Sequence, residues 1–161
     1  MTGSMTGGMK GDMTGGMKGD IVPDADHVTR LCGGSHIRED GTIAATAYKP
    51  RPGETYLSVN WLEFFADKDR EAALAEVRRA LAAKRTIGST SRLAISNVGG
   101  LRDFVRQESA ARTELTVRHE PENDPDRLYD PSHSGIYGIP EDDMAVPELI
   151  ASNVASVVPA R

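Results

Sequence analysis

The clearest pattern of hydrophobic and polar positions lies between Asp67 and Arg85. Apolar residues recur there at helical spacing, with Leu74, Val77 and Leu81 on one side and charged residues on the other. Asp67 can cap the amino end, because its side chain can accept a hydrogen bond from a main-chain N–H of the first turn. The pattern predicts a long α-helix over this stretch.

Shorter stretches alternate between apolar and polar residues, which is typical of half-buried β-strands. Glycine and proline separate most of them, and these residues favour turns. The predicted strands are Asp26 to Cys32, Thr42 to Tyr48, the start of Tyr56 to Phe65, Arg92 to Val98, Thr113 to His119 and His133 to Ile139.

Two further helices and one loop complete the predicted order. The pair Gly99-Gly100 breaks the chain before a helix from Leu101 to Glu108, and a last helix runs from Val146 to Val158 with Pro147 in its first turn. Glu120 to Asp130 is acidic and contains proline, so it is predicted to be a loop. We expect an α+β fold, with a mixed, mainly antiparallel sheet and about three helices packed mostly on one face.

The first twenty residues differ from the remainder. Residues 5–20 are the octapeptide MTGGMKGD written twice, with methionine at every fourth position from Met1 to Met17. Glycine at this density makes a helix costly, by about 1 kcal/mol for each glycine relative to alanine. We expect residues 1–20 to be a flexible tail, such as a tag or linker, and residues 21–161 to be a single domain. The alternative is a metal-handling arm, since thioether sulfurs are soft ligands for Cu(I).

The composition is that of an ordinary globular protein. The chain has 161 residues, 39% apolar and 27% charged, which suits one domain with one core. Its apolar runs are shorter than the roughly 20 residues that span a bilayer, and it begins without a secretory pattern. Cys32 is the only cysteine, so an internal disulfide is excluded and a reducing compartment is favoured. We expect a soluble, cytoplasmic protein, and the excess of arginine over lysine favours a bacterial source.

Charge is distributed unevenly along the chain. The net charge is −5, but residues 67–118 carry +4 and residues 119–161 carry −7. These two segments can attract each other. An acidic pI of about 5.4 argues against nucleic-acid binding, which normally shows as a strongly basic domain. The partners we expect are another protein or a second copy of the chain, with no membrane.

Several polar residues suggest chemistry, although none stands at a demanding motif spacing. Cys32 and His36 could form a thiolate nucleophile and its base, but only two glycines and a serine join them, and a buried structural cysteine fits better. The histidines His27, His36, His119 and His133 lack the close spacing of metal-binding motifs. We therefore predict no metal site and no cofactor.

Arginines on two elements are candidates for binding an anion. Arg78 and Arg85 lie two turns apart at one edge of the apolar stripe of the long helix, where either a solvated rim or an anion groove fits. Arg92 follows the hydroxyl-rich stretch Ser89 to Ser91, which could hold a phosphate or could be a plain connection. The stretch is not a P-loop, because it lacks the lysine and follows a helix.

His27, Arg30, Ser58 and Glu63 resemble the ingredients of ADP-ribosyltransferase sites, in which strand residues hold the nicotinamide dinucleotide and a glutamate orients the acceptor. The resemblance covers single residues, and the Ser-Thr-Ser strand motif of that family is out of place here. It implies an enzyme acting on a nucleotide or another phosphate-bearing substrate. The candidate catalytic residues are His27, Arg30, His119 and His133.

A last candidate surface lies between Asp130 and Gly138. This stretch combines a proline-initiated turn with a histidine, a tyrosine and two glycines, and glycine inside a strand often marks the close approach of another group. We predict a surface formed by His133 and Tyr137 together with His119, whose strand could be a neighbour. In the absence of a motif at a demanding spacing, the sequence favours a small accessory or protein-interaction module over the enzyme.

Overall fold

The computed structural model describes residues 17–124 and 128–161, which form one α+β domain. Its strands are β1 (His27–Cys32), β2 (Leu57–Trp61), β3 (Arg92–Asn97), β4 (Thr116–His119), β5 (Glu122–Asp124), β6 (Leu128–Asp130), β7 (His133–Tyr137) and β8 (Ser156–Pro159). Six of them form the main sheet in the order β4-β7-β2-β1-β3-β8, and β5 pairs with β6. Every strand pairing in the described residues is antiparallel, which confirms the predicted fold class.

Three helices cover parts of the two faces of this sheet. The helices are α1 (Arg70–Lys84), α2 (Val98–Glu108) and α3 (Ala145–Ser152). The buried residues of α2 and α3 join one apolar cluster with those of β1, β2 and β7. The buried residues of α1 join a second cluster with Leu93 and Ile95 of β3. Within residues 17–124 and 128–161, none of the helices has the length and apolar character that crossing a bilayer requires.

The long helix begins slightly later than its sequence pattern predicts. Asp69 is the N-cap of α1, and its carboxylate accepts a hydrogen bond from Ala72 N at 2.8 Å. The predicted cap, Asp67, precedes the helix and is exposed. Both aspartates fit the capping pattern, so the sequence alone does not choose between them.

The glycine pair predicted to break the chain lies inside α2. Asn97 caps this helix, because its side chain accepts a hydrogen bond from Gly100 N at 2.7 Å. Packing explains why residue 99 is glycine, because a Cβ there would lie 2.9 Å from Asp24 Cβ. Gly99 therefore allows a close approach of the chain near Asp24, and the helix starts at Val98.

One strand prediction and one helix prediction are wrong over part of their length. Ala45–Tyr48 forms a 3-10 turn where a strand from residue 42 was expected, because a run of small alanines has little strand propensity. Helix α3 ends at Ser152, and the expected remainder of that helix forms β8. The sequence of β8 contains two adjacent valines followed by Pro159, which suit a short edge strand better than a helix end.

The acidic stretch predicted to be a loop contains a short hairpin. Glu122 in β5 lies opposite Asp130 in β6, while residues 125–127 of the predicted loop fall outside the described residues. Lys84, in the last turn of α1, binds both carboxylates of this pair at 2.8 and 2.7 Å. The predicted attraction between the basic middle and the acidic end of the chain is present at this contact.

The segment before β1 covers one edge of the sheet. Val22 N donates to Val117 O at 2.9 Å, and His119 N donates to Asp20 O at 2.8 Å. Gly19 N also donates to His119 O. The last residues of the sequence repeat therefore bind β4, whereas residues 1–16 of the predicted tail lie outside the described residues.

Candidate functional site

The predicted catalytic residues fall into separate environments. His27, at the start of β1, makes two hydrogen bonds with the carboxylate of Glu63: one through its main-chain N–H at 2.6 Å and one through Nδ1 at 2.7 Å. Both side chains are about one-third exposed. The carboxylate can only accept hydrogen bonds, so Nδ1 carries the proton that joins the pair. This pair holds the chain after β2 against the start of β1.

Arg30 joins two segments through main-chain carbonyls. Its Nε donates to Ala47 O and its Nη1 donates to Ser58 O, each at 2.8 Å. Burial lowers the pKa of Arg30, but a guanidinium still remains charged at neutral pH. A fixed positive charge therefore lies beside the main chain of Ser58.

Ser58 and His133 form the closest contact between a hydroxyl and a candidate histidine on the sheet. Ser58 lies opposite Gly135, two positions from the pair Asn60 and His133, so the side chains of Ser58 and His133 point to the same face of the sheet. Ser58 Oγ lies 3.2 Å from His133 Nε2, and His133 Nδ1 lies 2.8 Å from Glu120 O. Ser58 is exposed and His133 is buried.

The partner of Nδ1 determines the tautomer of His133. A carbonyl oxygen accepts hydrogen bonds and cannot donate one, so Nδ1 must carry the hydrogen that Glu120 O accepts. In the neutral ring, Nε2 then has a free lone pair. The hydroxyl of Ser58 donates its hydrogen to this lone pair.

His119 has the opposite tautomer to His133, and its side chain lies on the opposite face of the sheet. It pairs with Ser134, the residue next to His133, so the two histidines project to different faces. His119 Nε2 donates to Pro131 O at 2.7 Å, and its buried Nδ1 has no hydrogen-bond partner in the described residues. The rings of Trp61 and Phe64 lie 5.3 Å from it. β4 and β7 are neighbours as expected, but the side chain of His119 faces the core.

Two tyrosines lie beside the Ser58–His133 pair. The ring of Tyr56 is 5.2 Å from that of Tyr137 and 6.0 Å from that of His133. Tyr56 also occupies the space above Gly135, where a Cβ would lie 2.2 Å from the ring. Glycine at this position is therefore required by the close approach of Tyr56.

These side chains form one surface, on the half of the sheet that α1 leaves uncovered. Tyr137 donates a hydrogen bond to the carboxylate of Glu120, and its pKa is raised to about 12 by burial and by this bond. The guanidinium of Arg118 lies 5.8 Å from the centre of the Tyr137 ring, within the range of a cation–π contact. We call this surface the tyrosine face. It consists of Tyr56, Ser58, Thr116, Arg118 and Tyr137.

A buried polar network supports one end of this surface, and the sequence pattern does not reveal it. Asp130 is fully buried and accepts hydrogen bonds from Lys84 Nζ at 2.7 Å and from Asn60 Nδ2 at 2.8 Å. Asn60 also donates to Ser132 Oγ at 3.0 Å. The network joins α1, β2 and the turn before β7. The stretch from Asp130 to His133 was singled out in the sequence, but Lys84 and Asn60 lie too far away along the chain to be assigned to it.

The arginines predicted to bind an anion lie apart from one another and from the tyrosine face. Arg78 donates from Nε and Nη2 to Pro159 O at 3.0 and 2.8 Å. Arg92 donates to the carbonyls of Ser89 and Ser91. Arg85 is the exposed C-cap residue of α1. An anion-binding role for these three arginines stays a prediction.

Cys32 is buried, as the sequence predicts. It is fully buried, and burial raises the pKa of its thiol to about 11, so the thiolate is disfavoured at neutral pH. His36 Nδ1 lies 2.8 Å from Thr46 Oγ1. Among the described residues, no three histidine, cysteine or carboxylate side chains lie close enough to hold a metal ion together.

Comparison with protein-family models, with curated proteins and with solved structures finds no match for this chain.

Proposed function

We propose that the protein is a small interaction module that binds another protein through the tyrosine face. The observation that carries this proposal is a pair of partly exposed tyrosine rings, with Arg118 beside them, on the part of the sheet without a helix. Tyrosine and arginine are among the residues that contribute most to protein interfaces. The candidate histidines lie in three separate environments, which also supports binding over catalysis by several histidines.

The edges of the sheet favour a contact through its face. The chain from Gly19 to Val22 covers the outer edge of β4. At the other edge, Pro159 has no N–H to offer, and Arg78 occupies its carbonyl. Both features disfavour the addition of a partner strand. A partner that avoids both edges can still reach the tyrosine face.

The polar groups of this face suit a partner with carboxylates. Within the described residues, the guanidinium of Arg118 makes one hydrogen bond, to Gly19 O at 3.4 Å. Arginine binds carboxylates through paired hydrogen bonds, and the hydroxyls of Tyr56 and Thr116 are further donors. A two-fold dimer through this face brings two copies of Arg118 into one interface. We therefore favour an acidic segment of a different protein over self-association.

Affinity capture with charge-reversal variants tests this proposal. The full chain, Arg118→Glu and the control Arg79→Glu are used to capture proteins from a lysate of the organism that carries the gene. Arg79 is exposed on α1 and lies apart from the tyrosine face. We expect a stoichiometric partner with the wild type and the control, and its loss with Arg118→Glu. A partner that all three retain, or no stoichiometric partner, contradicts the proposal. Sedimentation velocity detects self-association.

An enzyme acting on a nucleotide or other phosphate-bearing substrate is the second proposal. It is supported by Arg30 and His133, which both contact Ser58. However, the hydrogen bonds of Arg30, Arg78 and Arg92 go to main-chain carbonyls, so few of their donors are available to a phosphate. Calorimetric titration with ADP tests this proposal: a Kd below about 1 mM supports it, and no heat of binding contradicts it.

A further inference from the structure

We propose that Ser58 is a nucleophile and His133 its general base, so that the protein hydrolyses a carboxylic ester held on the tyrosine face. This activity goes beyond the interaction module and does not depend on a protein partner. It is carried by the contact between an exposed hydroxyl and a buried imidazole.

The pair has the three parts that an activated serine needs. Ser58 Oγ can be reached from solvent and donates to His133 Nε2 at 3.2 Å. Glu120 O accepts the Nδ1 hydrogen at 2.8 Å, which keeps Nε2 unprotonated in the neutral ring. Nucleophile, base and orienting acceptor are thus joined in one chain of hydrogen bonds, as in other serine nucleophiles.

The surroundings hold the imidazole of His133 in place. His133 is 5% exposed, and the ring of Tyr56 lies edge-on to it at 6.0 Å. Tyr56 also covers Gly135, the residue opposite Ser58. These contacts limit rotation of the base and shield one side of the pair from water, while Ser58 stays open on the other side. A fixed geometry of this kind reduces the entropic cost of reaction.

Arg30 contacts the main chain of the nucleophile from the opposite face of the sheet, because Thr29 pairs with Asn60 and the next residue, Arg30, therefore projects to the other side. Arg30 Nη1 donates to the main-chain oxygen of Ser58 at 2.8 Å. This contact holds the strand that carries the nucleophile in place.

The reaction is the hydrolysis of an ester by water. Ser58 Oγ attacks the carbonyl carbon while its proton passes to His133 Nε2. The bond from carbon to the alcohol oxygen breaks, and the alcohol leaves with the proton from Nε2. Water then attacks the acyl-serine, gives one proton to Nε2, and releases the carboxylic acid as Ser58 Oγ recovers that proton.

Labelling of the full chain with a fluorophosphonate tests whether Ser58 is activated. This probe phosphonylates activated serines and does not require the natural substrate to be known. The variants are Ser58→Ala and the control Ser89→Ala, which replaces an exposed serine of a loop. We expect one label per chain at Ser58 by mass spectrometry, retained in the control and lost in Ser58→Ala. No label, or a label at other serines only, overturns the proposal.

Ser58→Cys tests the role of His133 without replacing that buried residue. A cysteine at this position can transfer its proton to Nε2, so iodoacetamide should alkylate it at least about tenfold faster at pH 6.5 than the cysteine of the control Ser89→Cys. The native Cys32 is buried and does not compete. Equal rates at the two positions would show that His133 does not act as a base, and would overturn the proposal.

Discussion

The tautomer of each buried histidine in this protein depends on which of its ring nitrogens contacts a carbonyl oxygen. His119 and His133 are both buried histidines on neighbouring strands, yet they carry their hydrogens on different ring nitrogens because different atoms face a carbonyl. The sequence identifies both as candidates. It does not reveal that they project to opposite faces, because this depends on the register between β4 and β7.

Asp26 provides a pH-dependent prediction. Its carboxylate accepts a hydrogen bond from Trp61 Nε1 at 2.9 Å, but burial raises its pKa above the usual 3.8. The folded state therefore holds this proton more tightly than the unfolded state, and stability decreases as pH rises from about 3.8 through the native pKa. Asp26→Asn keeps an acceptor for Trp61 and carries no charge.

We expect Asp26→Asn to raise the free energy of unfolding at pH 7 by less than about 1 kcal/mol, since the site is half-buried. Urea denaturation at pH 7 and at pH 3 measures the difference from the wild type. The difference should disappear at pH 3, where both side chains are neutral. A variant less stable than the wild type at pH 7 contradicts this assignment.

Gly135 provides a steric prediction. A Cβ at this position would lie 2.2 Å from Tyr56 Cδ1 and 2.9 Å from Tyr56 Cβ, so Gly135→Ala forces the whole side chain of Tyr56 to move. We expect a loss of about 1–3 kcal/mol in the free energy of unfolding, as for other overpacked sites. Gly33→Ala is the control, since nothing lies within 4 Å of its added Cβ. Equal stability of the two variants in urea contradicts the described packing.

At the scale of elements, the sequence predicts most of the strands and the long helix, because their hydrophobic periods are clear. It fails where two local preferences compete. The stretch Ala45–Tyr48 has an alternating pattern but forms a turn, and the valines after Ser152 continue an apolar pattern but form β8. In both cases a second local feature outweighs the period: alanine has little strand propensity, and two adjacent valines before Pro159 suit an edge strand.

The N-cap of α1 is Asp69, although the sequence pattern fits Asp67 equally well. Asp69→Ala removes the acceptor for Ala72 N and should lower the free energy of unfolding by about 1 kcal/mol. Asp67→Ala is the matched control, because this residue precedes the helix and is exposed. Thermal unfolding followed by circular dichroism compares the two. A larger loss from Asp67→Ala than from Asp69→Ala refutes the cap described here.

Lys84 connects α1 with the hairpin of β5 and β6. Lys84→Met leaves the carboxylate of Asp130 fully buried without its cation, and breaking a buried pair in this way typically costs about 3–5 kcal/mol. Lys68→Met removes a partly exposed pair with Glu76 at 4.0 Å and should cost less than about 1 kcal/mol. Urea denaturation measures both. Similar losses in the two variants contradict a structural role for Lys84.

At the scale of the whole molecule, the antiparallel sheet presents one half-face without a helix, and this surface could be predicted only in part. His133 and Tyr137 were expected to share a surface, and both do lie beside Tyr56. Arg118 was missed, because it lies on a separate strand and stands in no motif. A pattern along one strand identifies side chains, whereas the order of strands determines which of them meet.

The claim that the tyrosine face contacts another protein is tested most directly by photo-cross-linking in the cell. The residue p-benzoylphenylalanine replaces Thr116 on this face or, as the control, Arg79 on the exposed side of α1. We predict one discrete cross-linked partner from position 116 and none from position 79. Cross-linking that is equal at the two positions, or that is absent from position 116, would contradict this account.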